Sequence, residues 1–242
     1  MDWTDDAIVL SSSRHGENAA VVHLLTQTHG LFPGLVNGAG AKANRGTLQA
    51  GNRVRAVWTA RLEDQLGRFS VELMRSEFAS FLDDPKRLAA LSSACALTDS
   101  ALTERQPLPA LFLAFQAFLD ALPSPAWATV YVHWELALLK ALGYGLDLGT
   151  CAAGGPSDDL AFVSPRTGRA VSRHKGEEWR DRLLILPPFL SRGGEGDWAE
   201  ILSGLRLTAH FLDRHVLAPR GRTLPAARLR LVDRLTSMVT IS

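Results

Sequence analysis

The stretch from Asp6 to Arg75 constrains the fold more than any other part of the chain. Apolar and polar residues alternate there in short runs, which Gly, Asn, Asp and His-Gly turn signals separate. No helical pattern lies between these runs, so the stretch predicts a small closed sheet in which each strand buries one face. The five predicted strands are Ala7–Ser12, Ala19–Thr26, Leu31–Asn37, Arg53–Arg61 and Arg68–Arg75.

A closed sheet of five strands favours the oligonucleotide-binding (OB) barrel, which is the commonest fold of that size and strand number. The longest connection between the strands, Asn37–Gly46, is rich in glycine and carries Lys42 and Arg45. We predict it to be a flexible basic loop, because glycine lets main-chain N–H groups approach a phosphate closely.

Positive charge is concentrated in this barrel, although the whole chain has a formal net charge of only +1. Between Ala7 and Arg61 there are six cations, and Glu17 is the one acid. A local basic field of this kind suits a phosphate backbone, whose condensed counterions the cations release. The alternative is that these side chains are solvated surface charges. The predicted DNA-binding residues of the barrel are Arg14, Lys42, Arg45, Arg53 and Arg55.

Trp58 on the fourth predicted strand is a candidate for stacking on a base, an interaction that single-stranded-DNA-binding barrels use widely. The alternative is that Trp58 belongs to the barrel core, which is the more common position for a strand tryptophan.

The remainder of the chain has helical periodicity, so we predict two domains, an OB domain at residues 1–80 and an all-α domain at 81–242. Asp84-Pro85 and Ser124-Pro125 are helix starts, because an N-cap side chain precedes a proline at the first helical position. The predicted helices are Lys86–Glu104, Ala110–Leu122, Ala126–Leu142, Gly176–Leu184, Trp198–Leu217 and a last one from Pro225 through Met238. The fold class is therefore α+β and multidomain.

An irregular insertion interrupts the helices at about residues 146–175, where glycine and proline are frequent around one extended run, Leu160–Val163. After it, a second basic cluster lies between Arg206 and Arg234, with seven arginines and two aspartates. Arg214, Arg220 and Arg222 are predicted to form a second DNA-binding surface, with solvated helix faces as the alternative.

Several classes of function are disfavoured by what the sequence lacks. The seven histidines show no metal-ligand spacing, and there is no phosphate-binding loop or nucleophile elbow, so we predict neither catalytic residues nor a cofactor. No secretory signal or apolar run of membrane-spanning length is present, and two cysteines fit a reducing compartment. We expect a cytoplasmic, nucleoid-associated protein without membrane contact. A protein-interaction scaffold with only incidental DNA affinity is the alternative function.

Short motifs along nearly the whole chain give it a specific resemblance to a known family, through their order and spacing. They are Trp3–Leu10, His15-Gly16-Glu17, Thr28-His29-Gly30, Leu48–Asn52, Leu82–Pro85, Trp134–Leu139, Gly143–Leu148 and Val163-Ser164-Pro165. With these motifs the sequence resembles the RecO family of bacterial recombinational-repair mediators.

The resemblance implies binding to single- and double-stranded DNA, annealing of complementary strands and cooperation with RecR. It also implies binding to the acidic C-terminal tail of single-stranded-DNA-binding protein (SSB), which helps to load the recombinase. Such a tail needs an apolar groove with an arginine rim. The candidate partner-binding residues are Phe112, Phe115, Trp127, Tyr131 and Arg206, although most of these aromatic side chains also fit a helical core.

In some relatives the insertion is a four-cysteine zinc module, and here the sequence departs from the family. Cys151 is the one cysteine that remains in the insertion, and a single thiolate cannot supply the four ligands of tetrahedral zinc. We therefore predict an insertion that is zinc-finger-like in position but metal-free. Cys95 lies on the apolar side of its predicted helix and is expected in the core.

Overall fold

The structure, a computed structural model, describes residues 1–62 and 64–239. By compactness the chain divides into two units. The first comprises Met1–Leu119 with Pro225–Arg228, and the second comprises Asp120–Leu224 with Leu229–Ser242. The predicted domain boundary at residue 80 stays a prediction.

The first unit contains a closed five-stranded barrel, which confirms the predicted OB-type fold. Its strands run β1, β2, β3, β5, β4 around the barrel, and β4 pairs back onto β1. All neighbours are antiparallel except β3 and β5, which meet in parallel at Leu35 and Arg68. The strands are β1 (Asp2–His15), β2 (Ala19–Thr26), β3 (Gly30–Asn37), β4 (Arg53–Thr59) and β5 (Arg68–Arg75).

Strand β1 is 14 residues long, more than twice its predicted length. Its first half, Asp2 to Ile8, pairs with β4, and the half from Ala7 to His15 pairs with β2. A register shift between Val9 and Ser11 bends the strand at the changeover, as β-bulges do. The alternation pattern underestimated the length of β1 because both ends of the strand are polar. Their position in the sheet depends on pairing with β4 and β2.

The barrel interior is filled by alternate residues of each strand. On β4 the side chains of Val54, Ala56 and Trp58 are buried, whereas the residues between them point outward. The packing is close at Gly34 on β3, where an added Cβ would lie 2.4 Å from Cδ2 of Phe69. A larger residue at this position would push two strands of the barrel apart.

The glycine-rich connection between β3 and β4, which the sequence predicts to be a basic loop, is partly helical. A six-residue helix, α1 (Lys42–Thr47), occupies its second half. Asn44 Nδ2 donates to the main-chain oxygen of Gly38 at 3.0 Å, which ties the helix to the glycine turn that precedes it. The glycines at 38, 40 and 46 led the sequence analysis to miss this helix, which the hydrogen bond of Asn44 stabilises.

Helices make up most of the remaining structure. Asp84 caps α3 by accepting from the main-chain N–H groups of Lys86 and Arg87, each at 3.1 Å, as the Asp-Pro signal predicts. Asp197 caps α8 in the same manner through Glu200. The helices are α2 (Glu77–Ser80), α3 (Pro85–Ala101), α4 (Pro109–Ala121), α5 (Trp127–Ala141), α6 (Arg173–Gly176), α7 (Pro188–Arg192), α8 (Trp198–Phe211) and α9 (Ala226–Val239).

In the first unit α3 packs on β1 of the barrel. Cys95 is buried on α3, with Sγ 3.7 Å from the main-chain oxygen of Val9. His23 on β2 reaches the same helix, and its Nδ1 lies 2.6 Å from Oδ1 of Asp99. Helix α3 therefore covers the part of the barrel around Val9 and His23, and leaves the far end of the β1–β2 hairpin exposed.

In the second unit α5 packs closely against α8. At Gly204 an added Cβ would lie 2.9 Å from Cγ1 of Val132, so a small residue allows the helices their close approach. The hydroxyl of Thr208 donates to the buried carboxylate of Glu135, which gives this polar group a hydrogen-bond partner between the helices. The predicted helix Trp198–Leu217 is α-helical to Phe211 and continues with wider π-helical turns at Leu212–Leu217.

The insertion forms a small three-stranded sheet in the order β7, β6, β8. Its strands are β6 (Leu160–Val163), β7 (Ala170–Ser172) and β8 (Leu184–Ile185). The extended run predicted at Leu160–Val163 is the central strand. In the described part of the chain, no helix is both long and apolar enough to cross a membrane.

Candidate nucleic-acid interface

A cleft of about 600 Å³ lies between the β1–β2 hairpin and α1, and we call it the hairpin cleft. Arg14, at the end of β1, and Arg45, on α1, both line it and are both exposed. Neither arginine makes an ion pair with any residue that the structure describes. Glu17 is the acid of this cleft. Two predicted DNA-binding residues, 31 positions apart in the sequence, thus share one accessible surface.

Local structure positions each arginine. Arg14 Nε donates to the main-chain oxygen of Gly16 at 3.2 Å, and Gly16 has a φ of 64° that the tight turn requires. Arg45 lies one residue beyond Asn44, whose side chain fastens α1 to the glycine turn. The side chain of Lys42, also predicted to contact DNA, lies outside the described residues.

Arg53 has a different environment from the one predicted for it. Its Nε lies 2.8 Å from Oε1 of Glu77, whose carboxylate is fully buried, and Arg75 Nε lies 3.1 Å from the same oxygen. The Arg53 side chain is itself 18% exposed. A buried carboxylate must be neutralised, so Arg53 compensates Glu77. Its role as a phosphate-binding residue stays a prediction, with much of its charge already used by Glu77.

Arg55 is also paired with an acid. Its Nε lies 2.7 Å from Oδ1 of Asp6, its direct cross-strand neighbour on β1. Both side chains remain about half exposed, so the pair is weaker than that of Glu77 and can exchange with solvent ions. Arg55 is accessible, but much of its charge is already compensated.

Trp58 lies in the barrel core, which was the alternative to base stacking. It is 1% exposed, and its Nε1 donates to the main-chain oxygen of Leu66 at 3.1 Å. A ring with no accessible face cannot stack on a base, so the prediction of Trp58 as a DNA contact is corrected.

Two arginines that the sequence did not single out as binding residues, Arg61 and Arg68, line a second cleft. This cleft encloses about 760 Å³ beside the β4–β5 connection, with Leu35 on its wall, and we call it the β4–β5 cleft. Both arginines are exposed, and neither makes an ion pair within the described range. OB barrels use the loops between strands 1 and 2 and between strands 4 and 5 to hold oligonucleotides. That topological rule was the signal that could have found them.

The predicted C-terminal arginines lie in the second unit. Arg214 lies on the π-helical turns, Arg220 ends a short 3-10 turn, and Arg222 follows it. All three are exposed. The main-chain N–H of Arg222 donates to the main-chain oxygen of Leu217 at 3.0 Å, which folds this segment back onto its helix. The segment thus displays three cations within nine residues.

The predicted partner-binding aromatics lie in the core. Phe112 and Phe115 on α4 and Trp127 and Tyr131 on α5 are all buried. Buried rings offer no open wall to a peptide, so their prediction as groove residues is corrected. Arg206 on α8 is exposed, as a rim residue has to be.

The insertion holds Cys151 in a hydrogen-bonded turn. The main-chain N–H of Ser172 donates to Cys151 Sγ at 3.2 Å, and Ser172 Oγ lies 3.5 Å from it. Burial alone would raise the pKa of this thiol, but hydrogen bonds from Ser172, Ala153 and Gly155 lower the pKa to about 7. Among the described residues, no three His, Cys, Asp or Glu side chains form a group that could hold a metal ion.

Both halves of the chain match a known protein family. The family described as "Recombination protein O N terminal" matches residues 1–76, and "Recombination protein O C terminal" matches residues 82–224. The chain is 56% identical to DNA repair protein RecO of Rhodospirillum centenum, with 100% of this chain and 98% of the relative covered. It is 49% identical to DNA repair protein RecO of Phenylobacterium zucineum, with 98% of both covered. The corresponding protein of Rhodospirillum rubrum is 48% identical, with 97% of this chain and 96% of the relative covered.

Proposed function

Because the chain belongs to the RecO family, we propose that it acts in DNA repair and recombination by binding single-stranded DNA and annealing complementary strands. The observation that carries the proposal is the hairpin cleft, where Arg14 and Arg45 come from separate elements and both leave their charge uncompensated by the described residues. Cations that make no ion pair can contact phosphates and release the counterions condensed on them.

The proposal also includes Arg61 and Arg68, which line the β4–β5 cleft. The two clefts involve the connections that OB barrels use for oligonucleotides, and each supplies two exposed arginines. Annealing asks for no catalytic residue, since neutralising the phosphates of two strands lowers their repulsion and leaves the bases to pair. A DNA ligand would place the protein at the nucleoid, in the cytoplasm.

We propose that duplex DNA, and the second strand during annealing, are held by Arg214, Arg220 and Arg222. Their support is exposure and proximity in the sequence. Cooperation with RecR and recognition of the SSB tail are proposals that rest on family membership. For the tail, the exposed Arg206 is the residue of the predicted set that remains suited to contact a carboxylate.

The test is a titration of single-stranded DNA binding and strand annealing from low to moderate salt. Arg14→Ala and Arg45→Ala should each remove one phosphate-binding cation, so we expect each to flatten the wild-type log–log slope by about 0.7. Arg55→Ala is the matched control, because it removes the same charge from the same barrel but from an existing ion pair. Wild type that binds no DNA even at low salt would overturn the proposal and leave the scaffold as the function.

The second surface has its own test. Arg214→Ala/Arg220→Ala/Arg222→Ala should lower the annealing rate and duplex binding more than it lowers single-strand affinity. Arg206→Ala serves as its control from the same unit, because it should leave annealing unchanged while weakening binding to a synthetic acidic tail peptide. Equal loss of single-strand binding and annealing in the triple variant would count against two separate surfaces.

A further inference from the structure

Three aromatic rings form a column at one end of the barrel. Trp58 and Trp3 are stacked with ring centroids 5.8 Å apart and planes 19° from parallel. Trp3 and His29 continue the stack at 4.0 Å and 11°. Trp58 is buried at the inner end of the column, whereas the His29 side chain is 32% exposed at the outer end. The column therefore ends in a ring that is about one third exposed to solvent.

The outer ring is fixed in orientation. His29 Nδ1 lies 3.1 Å from Oδ2 of Asp5, a carboxylate that is buried. The same oxygen accepts from the main-chain N–H and the hydroxyl of Thr28, each at 2.8 Å. These bonds hold the imidazole parallel to Trp3 before any ligand arrives. A platform ordered in advance loses little side-chain entropy when a ligand stacks on it.

The column lines a pocket of about 510 Å³ in which Arg105 supplies a cation and Asp2 an anion. The guanidinium of Arg105 lies 4.9 Å from the ring centroid of Phe32 and donates to the main-chain oxygen of Gln65 at 2.8 Å. Arg105 has a φ of 60°, the one positive value among the non-glycine residues that the structure describes. A strained backbone at a pocket is typical of a residue held in place for binding.

We propose that this pocket takes an unpaired nucleobase, which stacks on the outer face of His29 as the next ring of the column. The ligand is flat and aromatic because the column offers a flat ring face, and it is linked to a phosphate because Arg105 lies in the same pocket. The proposal rests on the proposed binding of single-stranded DNA and adds to it a contact that backbone arginines do not make.

The experiment compares two 15-nucleotide probes with equal numbers of phosphates, oligo-dT and a strand of abasic sugars. Wild type is expected to bind oligo-dT more tightly than the abasic strand. His29→Ala should weaken oligo-dT binding by roughly 5- to 150-fold. The same variant should leave the abasic affinity and the salt slope unchanged. His29→Phe keeps a ring and should recover most of the preference, and His174→Ala, an exposed histidine of the second unit, is the control.

The outcomes separate the two proposals. Wild type that binds neither probe overturns DNA binding itself. Wild type that binds both probes equally leaves backbone binding intact and overturns the base pocket, as does a folded His29→Ala variant that keeps the full preference for oligo-dT. Should His29→Ala fail to fold, the wild-type comparison of the probes and the His29→Phe variant still decide the question.

Discussion

The arginines of β4 and those of the hairpin cleft belong to one basic stretch of sequence, yet they have different neighbours. Arg53 and Arg55 contact Glu77 and Asp6, whereas Arg14 and Arg45 make no ion pair with any described residue. The charge count from Ala7 to Arg61 missed this difference because it includes neither Asp6 nor Glu77. Folding brings both acids next to the arginines of β4. The charge available to a ligand is what remains after the fold has paired its own acids.

The largest expected effect that tests the difference between paired and unpaired arginines is on the free energy of unfolding. Arg53→Ala removes one of the arginines that contact the buried carboxylate of Glu77 and leaves it the contact with Arg75, so we expect a loss of about 3–5 kcal/mol in the free energy of unfolding. The salt slope of DNA binding should stay as in wild type. Urea denaturation monitored by tryptophan fluorescence measures the loss, with Arg55→Ala, expected to cost about 0.2–1 kcal/mol, as its control.

An Arg53→Ala variant that unfolds like wild type but binds DNA with a flatter salt slope would reverse the assignment. Arg53 would then be a phosphate-binding residue, and Glu77 would have to be neutralised by other means.

The pair of His23 and Asp99 provides a test with an effect of intermediate size on stability, because the charge of His23 changes with pH. The hydrogen bond to Asp99 raises the pKa of His23 above its ordinary value of 6.5, against the effect of burial. A raised folded-state pKa means that the contribution is complete below about pH 6.5 and is lost as the pH rises through the folded-state pKa. His23→Gln should therefore cost about 1 kcal/mol at pH 5.5 and less at pH 8.5.

Denaturation of both proteins at the two pH values measures the difference. His15→Gln, an exposed histidine at the end of β1, is the control and should show no such trend. An equal loss at both pH values would mean that His23 contributes by packing alone.

The smallest expected effect comes from a variant that frees Arg55 of β4 from its ion pair. Arg55 would then resemble the arginines of the hairpin cleft. Asp6→Asn removes the partner of Arg55, and we expect roughly 1.4-fold to fivefold tighter binding to single-stranded DNA at low salt, since exposed pairs are worth about 0.2–1 kcal/mol. The added variant Arg55→Ala should cancel the gain. A gain that survives in the double variant would show that loss of the aspartate charge, and not release of Arg55, causes it.

Secondary structure was predictable where the pattern is local. Strand β2 has the predicted bounds, Ala19–Thr26, because its alternation reports which residues face the core. Asp84 caps its helix as predicted, since capping involves residues two or three positions away. Helix α1 was missed because its stabilising contact, from Asn44 to the glycine turn, cannot be read from propensity.

The candidate site was less predictable because it depends on contacts between distant segments. Which arginine is compensated depends on a cross-strand register, such as Asp6 opposite Arg55. Which aromatic ring reaches solvent depends on the stacking order, which places Trp58 inside and His29 outside. The alternation of apolar and polar residues predicts that Trp58 faces inward, but it does not predict that Trp3 stacks on it.

The pairing of β3 with β5, which closes the barrel, determines where the barrel opens most easily. The described residues give this seam one registered pair, Leu35 with Arg68, whereas β1 and β2 share eight. Amide hydrogens beside the seam should therefore exchange through the lowest-energy openings, and those in the middle of β1, paired on both sides, should exchange last. When the seam opens, the barrel becomes a twisted sheet with two bare edges, so self-association of this protein is expected to begin at β3 and β5.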